Sequence, residues 1–300
     1  MCFHRGGREF GLREGSKRNS SAAHADSFAD ERGERASACS GRNDPLVVGL
    51  NRNGMKYHGT QTSRGLDQLL PLSWKNTLAE PEGTLPSMTS IVAPSASTIR
   101  KALNEFEIDV NAGQVGQIQE YIRLLLVWNE KVNLTAIRNP LEILYRHFCE
   151  TMFAAKVVEL DQCRLADIGT GAGFPGLALK ILLPEAEVVL VESNIKKATF
   201  LAEVVRALGI AGANVLVSRY EELGEEIAPI DFLLARALGE FEVFLKWAAS
   251  DKVDARRVIL WVGAADVEQV RKDPRWAWEP PVAVPQSLRR ALLIGSKVVA

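Results

Sequence analysis

Apolar positions along this chain follow two different rhythms, one before about residue 160 and one after it. From about Ser97 onward, Val115, Ile118, Ile122, Leu125, Trp128 and Val132 recur at steps of three and four. That spacing lines one face of a helix, and the face is predicted to be core. A second helical stretch is predicted to begin near Pro140 and to run through Arg146 and His147. Beyond residue 164, short apolar runs start near Arg164, Val188, Asn214, Asp231 and Arg257 and alternate with amphipathic segments. Strands alternating with helices imply a mainly parallel sheet covered on both faces. Near the C-terminus, Pro280, Pro281 and Pro285 precede Ala291-Leu292-Leu293-Ile294, which reads as an extended strand pair at a sheet edge.

Residues up to Ser87 show neither rhythm. They are rich in Arg, Ser, Gly and Asn, and runs such as Asp30-Glu31-Arg32-Gly33-Glu34-Arg35 cannot build a core. The expected organisation is therefore a segment 1–87, a helical cap over 88–160 and an α/β domain over 161–300. Segment 1–87 is either disordered or upstream sequence preceding a natural start at Met88. A transit peptide is a rival reading of the first part, but such peptides are poor in acids, and this one contains Glu9, Glu14, Asp26, Asp30, Glu31 and Glu34.

Composition narrows the function by exclusion. No run of about 18 apolar residues is present, so no membrane partner is expected. Cys2, Cys39, Cys149 and Cys163 have no C-x-x-C spacing, and His4, His24, His58 and His147 do not cluster with them. Neither a metal site nor a disulfide framework is expected, and a reducing cytoplasm suits the chain. The formal net charge of −1 does not advertise a nucleic-acid binder. A basic face could still form if Arg138, Arg146, Lys196, Lys197, Arg289 and Arg290 gather on one side.

The chemistry concentrates in one string, Leu165-Ala166-Asp167-Ile168-Gly169-Thr170-Gly171-Ala172-Gly173-Phe174-Pro175-Gly176. A strand ending in glycines can turn tightly into a helix, leave bare backbone beside a ligand and aim helix N–H groups at it. Gly171-x-Gly173-x-x-Gly176 also satisfies the dinucleotide fingerprint, so a nicotinamide-dependent oxidoreductase is one reading. Asp167 favours another, because an acid two residues before the first glycine can attract the ammonium group of S-adenosyl-L-methionine. The resulting D-x-G-x-G-x-G string resembles the first motif of methyltransferases that use this cofactor. Glu192 closes the next apolar run, 19 residues after Gly173, where a carboxylate can accept both ribose hydroxyls of an adenosine.

The acceptor has to be sought after the fourth strand, which reads Asp231-Phe232-Leu233-Leu234-Ala235-Arg236-Ala237-Leu238. It has neither an N-P-P-Y loop nor a Pro-Cys pair, which disfavours adenine amino methylation and pyrimidine carbon-5 methylation. Taken in order, W-N-x-x-x-N-L-T, R-H, D-I-G-T-G-A-G-F-P-G, R-Y-E-E and A-R-A-L resemble the RsmG (GidB) family, which methylates guanine N7 in bacterial 16S ribosomal RNA. The likeness covers roughly residues 98–298. It implies a class I, Rossmann-like methyltransferase with a seven-stranded, mainly parallel sheet and a helical N-terminal cap. It implies S-adenosyl-L-methionine as cofactor and 16S rRNA or the small ribosomal subunit as partner, with neither membrane nor metal. Cofactor contacts are implied at Asp167, Gly169, Gly171, Gly173, Phe174, Glu192, Tyr220, Glu221 and Arg236, and RNA-side contacts at Asn133, Arg146 and Arg236. No catalytic acid or base is implied, because guanine N7 is already a free nucleophile. His147 is expected to be a hydrogen-bonded structural histidine. The acidic balance leaves a small-molecule or protein acceptor as an alternative. One departure stands out: the family usually has Leu-Lys-Gly after the fifth strand, and this chain reads Trp261-Val262-Gly263.

Overall fold

The structure, a computed structural model, describes residues 48–49, 92–224, 227–237, 239–287 and 289–298. The expectation for residues 1–87 lies outside the described residues, except for strand β1 (Val48–Gly49), which pairs in parallel with Leu216 and Val217.

Helix α1 (Ala96–Asn104) starts at Ser95, whose hydroxyl accepts from the Thr98 amide. Helix α2 (Ala112–Asn129) carries the periodic face and opens on a reciprocal cap, in which Asn111 and Gln114 each accept the other's backbone N–H at 2.9 Å. Gln114 then donates through Nε2 to the carbonyls of Ile181 and Leu182 at 2.9 and 3.0 Å, which ties this helix end to the α/β domain. Helix α3 (Pro140–Ile143) begins with proline in its first turn, under an Asn139 cap. It runs without a break through a π-helical stretch, Leu144–Cys149, into α4 (Glu150–Met152), and α5 (Ala154–Val157) follows. The second helical stretch predicted near Pro140 is therefore present, but widened in its middle.

The α/β part runs β2 (Arg164–Ile168), α6 (Gly176–Leu182), β3 (Glu187–Glu192), α7 (Ile195–Ala207) and β4 (Ala213–Val217). It continues as β5 (Ile230–Arg236), α8 (Phe241–Ala248), β6 (Ala255–Gly263) and α9 (Val267–Val270), and ends in β7 (Trp276–Trp278), β8 (Val282–Ala283) and β9 (Arg290–Lys297). The sheet order is β1-β4-β3-β2-β5-β6-β9-β7, with β8 paired to β9. Strands β2 to β6 run parallel to one another and β9 is antiparallel to β6. The five predicted parallel strands are all found.

The C-terminal strand pair lies at the sheet edge, as expected. β9 is the strand next to that edge: β6 pairs with it on one side, and β8 and β7 pair with it on the other. Its side chains are covered on both faces, Leu292 and Ile294 in one core and Ala291 and Leu293 in the other.

Successive residues of each strand enter opposite cores. On β2, Leu165 joins the cap side, where Ile118, Tyr121, Ile122 and Phe148 pack with Leu190. Ala166 and Ile168 join the other side with Phe244, Leu245 and Leu260. The cap thus shares one core with the sheet face next to it. Register aligns the carboxyl ends of β2 to β5, since Ile168 sits beside Val191 and Ala235, and Glu192 beside Val217. That common rim is where ligands of open α/β sheets bind.

Candidate functional site

The glycine loop leaves β2 at this rim. Gly169, Gly171 and Gly173 have φ of 66°, 61° and 91°, the left-handed region that other residues enter only under strain. Gly173 is also crowded: a Cβ there would come within 2.1 Å of the Tyr121 hydroxyl oxygen. At Gly171, by contrast, a Cβ would meet only the Gly169 carbonyl oxygen, at 3.8 Å. One glycine admits the cap and the other keeps space open at the rim.

Two acids hold the loop by its amides. Glu192, at the end of β3, accepts from Gly171 N–H at 3.0 Å through Oε2 and from Asn194 N–H at 2.8 Å through Oε1. Asp167 has no exposed surface; its Oδ2 accepts from Thr170 Oγ1 at 2.5 Å and from Gly176 N–H at 2.8 Å. Its Oδ1 is buried and has no partner among the described residues. Burial pushes the Asp167 carboxyl up to about 7, against the lowering pull of those two hydrogen bonds.

Phe174 is sandwiched. Its ring lies parallel to Tyr121 at 5.2 Å and 11° and to His147 at 4.8 Å and 15°, while the Tyr121 hydroxyl donates to Ala172 O at 2.6 Å. The side chain that follows the glycines is thereby spent on docking the loop to the cap.

The other half of the rim is built from side chains. Arg236 ends β5 with its side chain almost fully buried; Nη2 donates to the Arg146 carbonyl at 2.6 Å and reaches Glu150 Oε2 at 3.4 Å. Its Nη1 has no partner among the described residues. Burial, reinforced by the like charge of Arg290, brings the guanidinium down to about 10. Glu150 is the centre of this cluster: Arg290 Nε lies 3.3 Å from the same carboxylate oxygen, and Trp261 Nε1 donates to the Glu150 carbonyl at 3.0 Å. Burial raises the Glu150 carboxyl and the arginines oppose it. The π-helical stretch makes room for these bonds, because widening a helix breaks the regular pairing of its carbonyls. The Arg146 carbonyl takes Arg236, and the His147 carbonyl takes the Thr151 hydroxyl.

His147 is hydrogen-bonded, as expected. Its Nε2 lies 2.9 Å from Thr135 Oγ1, and burial together with the charges of Arg236, Arg290 and Arg146 drives its pKa to about 3. Thr135 is fixed in turn by Asn129, whose Oδ1 accepts from the Leu134 and Thr135 amides at 2.9 and 3.0 Å and whose Nδ2 donates to the Thr135 carbonyl at 2.8 Å.

The remaining sequence-derived residues are less central. Tyr220 and Glu221 lie in a 3-10 turn just past β4, with the Tyr220 ring edge-on to Trp247 at 5.0 Å and Glu221 exposed. Arg146 is half exposed and paired to Glu142 at 2.8 Å. Asn133 is exposed in the α2–α3 connection, which Asn129 organises instead. Val262 is buried in the second core, so the position where the family usually has lysine points into the protein. A cleft between α8 and the α9–β7 segment, lined in part by Glu240, Glu242, Asp266, Lys272 and Arg275, includes none of these residues. Tyr121, Asn129, Thr135 and Glu150 are side chains that sequence reasoning did not assign to the site, and Arg290, expected as part of a basic face, instead pairs with Glu150.

This strand order, with the glycine loop and both acids at the carboxyl rim, defines a class I, Rossmann-like S-adenosylmethionine-dependent methyltransferase fold. Residues 114–278 match the GidB family, described as rRNA small subunit methyltransferase G, and the chain belongs to that family. Among its relatives is the ribosomal RNA small subunit methyltransferase G of Desulforamulus reducens, 36% identical over 154 residues, which are 50% of this chain and 64% of that protein. The protein of the same name from Desulfitobacterium hafniense is 40% identical over 152 residues, 50% of this chain and 62% of its own length. The chain thus spans somewhat less than two thirds of the length of these relatives. Among solved structures, an S-adenosylmethionine-dependent methyltransferase from Aquifex aeolicus aligns with a TM-score of 0.42 at 18% identity, covering 53% of this chain and 94% of that one.

Proposed function

We propose that this protein is an S-adenosyl-L-methionine-dependent methyltransferase acting on N7 of a guanine in 16S ribosomal RNA, working on the small subunit or its RNA in the cytoplasm. The observation that carries the cofactor assignment is a pair of buried, unpartnered atoms of opposite character at the ends of adjacent strands, Asp167 Oδ1 and Arg236 Nη1. An unpaired buried polar atom is costly, so two of them beside a glycine loop mark a place for a ligand. The amino-acid end of S-adenosylmethionine offers the complement, an ammonium for Asp167 and a carboxylate for Arg236. Glu192, already oriented by two amides, retains acceptor capacity for ribose hydroxyls. A nicotinamide cofactor would leave the acid–arginine pair without a role.

The bound cofactor supplies an electrophilic methyl group on a sulfonium. Guanine N7 has a free lone pair, so the protein has no proton to remove, and His147, neutral and held by Thr135, is not poised as a base. What the chain contributes is position and exclusion of water. Asp167 and Arg236 hold one end of the donor, Glu192 the other, and the Tyr121–Phe174–His147 column closes the cap over the loop. The names borne by the relatives support the RNA acceptor.

Three measurements test this reading. Small-subunit RNA from cells with and without the gene should differ by one borohydride- and aniline-sensitive N7-methylguanine; an unchanged cleavage pattern rejects the RNA acceptor. Labelled methyl transfer should go to isolated small subunits and not to a metabolite pool. Calorimetry showing affinity for a nicotinamide cofactor but none for S-adenosylmethionine would reject the methyltransferase altogether.

A further inference from the structure

The cofactor reading uses two of the three unpartnered buried atoms at the junction of loop and cap; the third is His147 Nδ1. The His147 ring is fixed in plane by Phe174 and in rotation by Thr135. Thr135 Oγ1 also accepts from the Ile137 amide at 3.1 Å. With one lone pair of Thr135 taken by that amide, the arrangement in which its hydroxyl hydrogen faces Nε2 puts the ring proton on Nδ1. In that tautomer the buried Nδ1 carries a neutral N–H with nothing to receive it among the described residues.

The chemistry of the acceptor supplies a partner. Guanine and adenine both present N7, and the position beside it, position 6, tells them apart on that edge: it is an acceptor oxygen in guanine and a donor amine in adenine. We propose that His147 is the residue that selects guanine, donating its Nδ1–H to O6 of the base whose N7 is methylated. The inference rests on the guanine-N7 reading above. A donor on O6 leaves the N7 lone pair free for the methyl group and sets donor against donor when adenine enters. A neutral donor also suits a base that gains positive charge as it is alkylated, where an imidazolium would oppose the reaction. Burial and the charges of Arg236, Arg290 and Arg146 keep the ring in that uncharged form.

The test uses the full chain, labelled S-adenosylmethionine, and small subunits reconstituted with guanine or 2-aminopurine at the target position. 2-Aminopurine keeps N7 and lacks O6. The wild type should prefer guanine by about 10- to 100-fold in kcat/KM. His147→Phe keeps a ring on Phe174 but removes the donor, and should reduce that preference to within about threefold while S-adenosylmethionine affinity, measured by calorimetry, stays within about twofold. His147→Asn, whose amide N–H replaces Nδ1–H, should recover part of the preference. If the phenylalanine variant does not fold, Thr135→Val releases the tautomer with the ring in place and should lower the preference severalfold. An unchanged guanine preference in the folded variants overturns the proposal, as does a uniform loss on both bases accompanied by lost cofactor affinity. A wild type that transfers nothing to guanine N7 overturns the parent reading as well, so the two failures are told apart by the wild-type arm alone.

Discussion

The two halves of the rim are built by different means. On the glycine-loop side, backbone amides carry the geometry: Gly171 and Asn194 donate to Glu192, and Gly176 donates to Asp167, all within about two dozen residues of sequence. On the cap side, long-range side chains carry it: the Glu150 carboxylate gathers Arg236 and Arg290 and its main-chain carbonyl takes Trp261, from three strands lying 86 residues and more away along the chain. A backbone-built site is rigid but strained by any side chain at its positive-φ glycines. A side-chain-built site survives substitution better, though it depends on one buried carboxylate being matched by its cations.

The largest expected effect breaks the first side. Gly173→Ala would force a Cβ to within 2.1 Å of the Tyr121 oxygen at a φ of 91°. The clash and the backbone strain together should cost about 3–5 kcal/mol in urea unfolding. Gly171→Ala has the strain without the clash and should cost about 1 kcal/mol. Equal losses at the two glycines would refute the division between a docking glycine and a ligand-facing one.

The cap side should yield next. Glu150→Ala leaves Arg236 and Arg290 facing one another in a buried place without their shared anion, and about 2–4 kcal/mol of stability should go with it. Arg236→Ala leaves Glu150 still paired to Arg290, so stability should fall less, while affinity for S-adenosylmethionine drops by about 10- to 100-fold in calorimetry. If Arg236→Ala unfolds the protein as severely as Glu150→Ala, the carboxylate is not the hub.

What could be read in advance follows the same division. Asp167, the glycines and Glu192 sit on consecutive elements, so spacing alone puts them on one rim, and the parallel strands follow from the alternation of apolar runs. Glu150 and Arg290 carry no such signal, because nothing local says that a cap helix and the last strand will share a buried ion pair. Phe174 could be flagged from the Gly-Phe-Pro-Gly string, but only the fold turns it toward Tyr121 and His147. The prolines before β9 mark the sheet edge locally, while its pairing with β6 and β7 depends on the fold.

A smaller effect sharpens the contrast through pH, because each half holds one group displaced in a different direction. His147 is depressed from 6.5 to about 3, so the unfolded chain binds a proton that the fold does not; its contribution is present above 6.5 and is lost as pH falls toward 3. Asp167 is raised from 3.8 to about 7, so the fold binds a proton that the unfolded chain does not; its contribution is present below 3.8 and is lost as pH rises through 7. Between those limits the slopes oppose, each at about 1.4 kcal/mol per pH unit at most, and the wild type should be nearly flat with respect to these two groups. Asp167→Asn should expose a stability that rises with pH, and His147→Phe one that falls. Identical profiles for the two variants would show that neither group titrates as its surroundings demand.

The smallest signal is the one that ties this electrostatic contrast to ligand binding. In the free protein Asp167 is close to half protonated at neutral pH. An ammonium placed against Oδ1 favours the carboxylate, so binding S-adenosylmethionine at pH 7 should release about half a proton, growing toward one at pH 6 and vanishing by pH 9. Calorimetry in buffers of differing ionisation enthalpy reads this number directly. Asp167→Asn should abolish the release, whereas His147→Phe, on the half of the rim away from the ammonium, should leave it intact. Release that persists without Asp167 would move the titrating group elsewhere and detach the ammonium from that carboxylate.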